Sequence, residues 1–222
     1  MAERYTINST DITDYLTHLQ IIDGNIGIPP LLQDDYVIPG RTGVVTATPW
    51  WGPRVVSFGG IVTGASRSAY QDNLRGLMNL VHQSGQTYTM QRRLDLTAGS
   101  TQTTQAVARY AGGLERVEQL SPSVGRVAFD VMLTEGYWYD TAVTTLGTVI
   151  AGTAASGTAT FVAAGNAPTQ KVDLTYTVGP QSQRLTNDQF PGVGRLTLIP
   201  GNNKVVLSGG GAVGIKYRAA WL

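Results

Sequence analysis

Residues 34–64, DDYVIPGRTGVVTATPWWGPRVVSFGGIVTG, decide the fold class of this 222-residue chain. A turn-rich segment, Pro39-Gly40-Arg41-Thr42-Gly43, precedes two β-rich runs at 44–48 and 54–62. Between the runs stands Pro49-Trp50-Trp51-Gly52-Pro53, an aromatic corner stiffened by a proline on each side. β-Branched and aromatic runs bounded by Gly and Pro clusters read as strands joined by constrained turns. The second run closes on Gly59-Gly60-Ile61-Val62, and a helix signal follows at once. Tyr70, Leu74, Leu77, Met78 and Val81 recur at helical spacing and form one apolar stripe. Ser68 with Gln71 predicts a capping box and Gly85 a C-terminal stop, so a helix is expected over 68–83. Gly76 in its middle costs about 1 kcal/mol against Ala, which implies close packing against a neighbour at that point.

Upstream, residues 5–7 and 18–22 read as short strands around a polar turn in which Asp and Thr supply caps. Residues 23–43 form a long Gly- and Pro-rich loop, a length that usually marks function. Downstream, strands are expected at 87–96, 106–110, 116–119 and 126–133, the last a clean alternation. Glu135-Gly136-Tyr137-Trp138-Tyr139-Asp140 is an aromatic hinge, and past it Gly, Ala, Thr and Ser dominate. The domain boundary is therefore placed near 140, giving units of 1–140 and 141–222. In the second unit, short strands at 158–162, 170–178, 195–199, 203–207 and 213–219 alternate with Gly, Asn and Pro, the pattern of a β-sandwich.

Composition narrows the function. Charged residues are 14% of the chain, against roughly 25% in an average soluble domain. Surface with so little charge reads as surface reserved for neighbouring subunits. Net charge is +1, distributed unevenly: residues 1–140 carry 13 acidic and 10 basic groups, and residues 141–222 carry 2 and 6. Neither part has the clustered Lys/Arg stripe of a nucleic-acid binder. The absence of cysteine removes disulfides and thiolate metal sites. The start, MAERYTINSTDITDYL, has no positive segment followed by an apolar one, so no secretory signal is expected. No apolar run approaches the ~18 residues of a membrane span, and folding in a cytoplasm is expected.

Catalytic patterns are weak. Gly209-Gly210-Gly211-Ala212-Val213-Gly214 matches a dinucleotide fingerprint, but no helix or βαβ unit fits in the residues that follow, so a flexible hairpin loop is expected there. His18 and His82, without cysteines or a carboxylate repeat beside them, do not compose a metal site. Asp11 with Asp14 reads as capping, and Asp34 with Asp35 as a solvated loop pair, so neither is expected to work as a glycosidase pair. Trp138 and Trp221 read as core, whereas Trp50-Trp51 reads as a subunit contact, since aromatics are enriched in interface cores.

Several pieces, taken in order, resemble one family. They are Ile38-Pro39-Gly40-Arg41, the run at 55–62, the helix stripe from Tyr70 to Val81, Gly136-Tyr137-Trp138-Tyr139, Gly165-Asn166-Ala167-Pro168-Thr169 and Leu198-Ile199-Pro200-Gly201-Asn202-Asn203. The chain resembles the distal tail (Dit) proteins of long-tailed siphophages over essentially its whole length. The resemblance implies a mainly β fold: an N-terminal β-sandwich or split-barrel-like domain with one α-helix, then a C-terminal galectin-like or carbohydrate-module-like β-sandwich. The 82 residues of 141–222 are short for a galectin-like domain. It further implies a non-enzymatic virion component without cofactor or metal, assembled in the bacterial host cytoplasm. Six copies would form a ring at the tail end between tail tube and tail-tip hub, with tape measure and receptor-binding proteins as further partners. DNA would pass through the channel without specific binding. Subunit-contact candidates are Tyr36, Ile38, Arg41, Trp50, Trp51 and Arg54. Two other readings stay open: a carbohydrate-binding module protein acting on host glycans, and a tail-tube subunit.

Overall fold

A computed structural model describes the chain except for residues 1–2, 25–28, 33–34, 37–44, 47–49, 97–99, 115–116, 152–156, 168–170, 179–180, 187–197, 208–210 and 222. The fold is mainly β, with antiparallel sheets and, among the described residues, one α-helix. It divides into two compact units, Met1–Tyr137 and Trp138–Leu222.

The elements of unit 1 are β1 (Glu3–Ile7), β2 (Thr10–Asp11), β3 (Thr17–Asp23), β4 (Leu31–Leu32), β5 (Asp35–Tyr36), β6 (Val45–Thr46), β7 (Trp50–Trp51), β8 (Arg54–Thr63), α1 (Arg67–His82), β9 (Tyr88–Asp95), β10 (Thr101–Gly112), β11 (Glu118–Ser121) and β12 (Val124–Leu133). The main sheet runs β2-β1-β9-β10-β12-β8-β3, with β11 folded back on β12. Asn8 and Ser9, at φ of 46° and 72°, make the two-residue turn into β2, a conformation that short polar side chains tolerate. Asp11 then caps the 3-10 turn Ile12–Asp14, accepting from the Thr13 amide at 2.8 Å and its hydroxyl at 2.6 Å.

Alternation puts Val127, Phe129, Val131 and Leu133 of β12 on the buried face with Val56, Phe58 and Val62 of β8. Phe58 stacks on Phe129 at 5.4 Å and meets the edge of Tyr5 at 5.2 Å. Helix α1 packs on β8 and β10 and buries Tyr70, Leu77 and Val81, three of the five stripe residues. Its N-cap is Ser66, whose hydroxyl accepts from the Ala69 amide at 3.2 Å, and not Ser68 of the predicted capping box. Gly76 does meet a neighbour closely. A Cβ there would lie 2.4 Å from Cε1 of the Tyr15 ring.

Unit 2 comprises β13 (Trp138–Asp140), β14 (Thr144–Ala151), β15 (Gly157–Ala163), β16 (Val172–Val178), β17 (Gln181–Thr186), β18 (Gly201–Leu207), β19 (Gly211–Tyr217) and β20 (Ala220–Trp221). One sheet has the order β14-β19-β16-β17, while β15 pairs with β18 in a second. Both sheets feed one core. Val172, Leu174, Ile215 and Tyr217 come from the first and Ala163 from the second, with Phe161 and Val205 packed against them, so the sheets form two layers. The glycine-rich stretch corrects an expectation. β18 and β19 belong to different sheets, so they are not the two arms of a hairpin, and Gly211 through Gly214 of the expected loop lie inside β19. Asn203 organises the turn before β18, accepting from the Ile199 amide at 3.0 Å and donating to the carbonyls of Ile199 and Gly201 at 2.8 and 2.9 Å.

Candidate functional site

The long loop and the aromatic corner turn out to belong to one element. Leu31 lies opposite Trp51 and Leu32 opposite Trp50; further along, Asp35 lies opposite Thr46 and Tyr36 opposite Val45. These antiparallel pairs are nested, β4 with β7 outside and β5 with β6 inside, as in the arms of a β-hairpin. The sequence hid the hairpin because each strand is two residues long and shows no alternation to read.

The base of the hairpin is fixed within unit 1. The Gly52 amide donates to the Pro30 carbonyl at 2.7 Å, and Pro29 is buried. Gly136 closes against it. Its φ is +75°, and a Cβ would come 2.6 Å from the Gly52 carbonyl oxygen and 3.0 Å from the Pro29 ring. Only glycine accepts both that backbone conformation and that approach. The glycine of the aromatic hinge is therefore there for the hairpin, a role that one-dimensional spacing does not display.

Of the contact candidates, Trp50 and Trp51 form β7 at the hairpin base and Tyr36 lies in β5. Ile38 and Arg41 lie outside the described residues. Arg54 needs correction: it opens β8 with its side chain turned inward, 6% exposed, so it belongs to the interior of unit 1 and offers no surface contact. Arg92 of β9 is buried on the same face of the sheet, 4% exposed. Burial lowers the pKa of Arg54, the charge of Arg92 lowers it further, and the nearby Tyr137 raises it. Sequence reading missed this pair because an arginine in an alternating strand is normally read as its solvent face.

The residues weighed for chemistry are dispersed. His18 is exposed on β3 at φ 55°; His82 is the exposed last residue of α1, its ring 5.3 Å from that of Tyr110. Asp11 serves as a cap, and Asp34 lies outside the described residues. Among the described residues no group of three or more His, Cys, Asp or Glu could hold a metal ion. No helix among them is long and apolar enough to cross a membrane. In unit 2, Trp138 is fully buried, and Trp221 donates its indole N–H to the Asp140 carboxylate at 2.8 Å.

No protein-family model matches the chain, and no curated protein matches it in sequence. A solved structure shares its fold. The Dit protein (gp 19.1) of phage SPP1, described as a paradigm of the hub of the adsorption apparatus in phages infecting Gram-positive hosts, superposes with a TM-score of 0.55 at 12% identity over 100% of both chains. A chain of the phage P2 baseplate in its activated, calcium-bound conformation gives a TM-score of 0.45 at 11% identity, over 99% of this chain and 98% of that one. The likeness to the SPP1 protein is one of fold, and it runs from end to end.

Proposed function

We propose that this chain is a structural protein of a phage tail tip, without enzymatic activity, that forms a hexameric ring joining the tail tube to the tail-tip hub. The observation that carries the reading is the fold shared with the SPP1 hub protein over the full length of both chains. A match confined to one unit would fit any β-sandwich protein; a match across both in the same order favours the same kind of assembly part. Low charge supports it, since a ring protein spends much of its surface on neighbours. In this reading unit 1 builds the ring, with the hairpin of residues 31–51 and its Tyr36, Ile38, Arg41, Trp50 and Trp51 as contacts between copies. Unit 2 faces outward as the attachment point for receptor-binding and other tip proteins, and DNA passes through the ring.

Electron microscopy and mass measurement of the purified protein, alone and mixed with tail tube protein, test the assembly. A single six-fold ring that caps tube ends is expected, with antibody labelling confined to the distal tail of virions. Labelling along the whole tail would instead make the chain a tube subunit. A glycan-binding monomer missing from virions would make it a carbohydrate-binding module.

A further inference from the structure

We propose that the outer face of the main sheet in unit 1 receives the hairpin arms of a neighbouring copy, with Arg109 meeting Asp35 of that copy. The buried face of this sheet is filled from within: Phe58 and Phe129 stack there, and Gly125 meets the Tyr70 ring of α1. On the opposite face, pairing sets Arg109 of β10, Met132 of β12 and Val55 of β8 side by side in one cross-strand row. Val107 stands two residues before Arg109, hence on the same face. Ile22 of β3 lies over Gly59, four residues along from Val55; a Cβ on that glycine would come 2.9 Å from the Ile22 Cδ1. Ile22, Val55 and Val107 are 62%, 42% and 40% exposed, which leaves an apolar strip open to water. Charge on this face is answered unevenly. Arg93 pairs with Asp95 at 3.6 Å, Arg126 pairs with Glu118 at 3.3 Å, and the Asp130 carboxylate accepts from the Ser57 hydroxyl at 2.6 Å. Arg109 is exposed and has no carboxylate partner among the described residues. Its Nη2 donates instead to the Met132 sulfur at 3.4 Å, a weak acceptor.

The hairpin arms have the complementary need. β4 with β7 and β5 with β6 are two-stranded sheets, joined to the main sheet by no ladder among the described residues. A two-stranded ribbon is marginal in water unless an apolar surface supports it. The arms bring Leu31, Leu32, Tyr36, Val45, Trp50 and Trp51, and Asp35 is the carboxylate of β5. An apolar ribbon with an acid thus matches an apolar strip with an unanswered cation. That the two meet between copies rests on the ring reading. A closed ring is built by a heterologous contact, in which one patch fits a different patch on the next copy. The arms and the sheet face are two such patches.

The chain contains no cysteine, so single cysteines report the contact on the full-length protein. Asp35→Cys and Arg109→Cys are prepared as separate proteins, mixed in equal amounts with tail tube protein present, and treated with a short bismaleimide. A covalent dimer is expected from the mixture and not from either variant alone. With both substitutions on one chain, the product should be a ladder of linked copies. A linked monomer without a ladder would place the arms on their own sheet and overturn the proposal, as would a mixture that stays unlinked. Charge reversal gives a second reading. Asp35→Arg and Arg109→Asp should each weaken association between copies about tenfold, and both on one chain should restore it. Association that neither reversal changes, or that the pair fails to restore, overturns the proposal. Loss of tube binding with association intact in Arg109→Asp does so too, by assigning the face to the tube protein. Rings that form unlinked leave the assembly reading standing, while linked copies that close with another number, or not at all, leave the contact standing.

Discussion

Two phenols in the interior of unit 1 show what burial alone does to a residue. The Tyr88 hydroxyl is buried and has no hydrogen-bond partner among the described residues, and burial lifts its pKa well above the ordinary 10.0. Tyr137 is pushed up to about 12 by burial, with the Arg54 charge pulling the other way. Unfolded phenols ionise near pH 10, so above that pH the folded state holds more protons than the unfolded one, and stability falls as pH rises. The loss sets in near pH 10 and, for Tyr137, levels off above about 12. Urea melts taken from neutral pH into this range should show unit 1 weakening, and Tyr88→Phe should blunt part of the decline. At neutral pH, Tyr88→Phe should stabilise by about 1 kcal/mol, because a buried hydroxyl without a partner is a cost that phenylalanine lacks. Lower stability of this variant at neutral pH would show that the hydroxyl is bonded after all. The buried arginines were not legible in the sequence for a related reason: Arg54 and Arg92 occupy inward positions of strands that otherwise alternate as expected, and only the pleat assigns their face.

At the scale of elements, legibility followed periodicity. β12 and α1 announced themselves through alternation and the stripe from Tyr70 to Val81. By contrast, β4, β5 and β7 have two residues each, β17 is mostly Gln, Ser and Thr, and Thr and Gly fill half of β14, so no pattern marked them. The helix cap lies two residues before the one that spacing marks. Two serines lie close together, and Gln71 completed a box with Ser68, yet the fold uses Ser66. Ser66→Ala should therefore cost about 1 kcal/mol in unit 1, and Ser68→Ala almost nothing. Gly76→Ala offers a sharper test of packing. In an isolated helix it gains about 1 kcal/mol, but here the new methyl would lie 2.4 Å from the Tyr15 ring. The substitution should destabilise unit 1, and should turn favourable once Tyr15 is also replaced by Ala, a sign reversal that a double-mutant cycle in urea measures. Additive effects would mean that Tyr15 and Gly76 do not constrain one another.

For the whole molecule, nothing in the sequence of one chain marks which surface would meet a neighbour in a ring. Charge gives the ring reading its strongest exposure to failure. Residues 1–140 carry an excess of three acidic groups and residues 141–222 an excess of four basic ones, with Lys171, Lys204 and Lys216 all in the second part. Phosphate contacts with Lys and Arg are what hold DNA on a protein, and they strengthen as salt falls. A ring whose channel is lined by unit 1 presents DNA with an acidic-leaning wall and lets it slide. One lined by unit 2 would retain it. The virion density at the distal end of the tail should accordingly place unit 1 around the channel and unit 2 at the periphery. In parallel, assembled rings threaded on linear DNA should slide off freely at low salt, whereas the isolated protein in bulk is no test because its outer basic groups are exposed. Density for residues 141–222 around the channel, or threaded rings that DNA retains until salt is raised, would reverse the assignment of the two units.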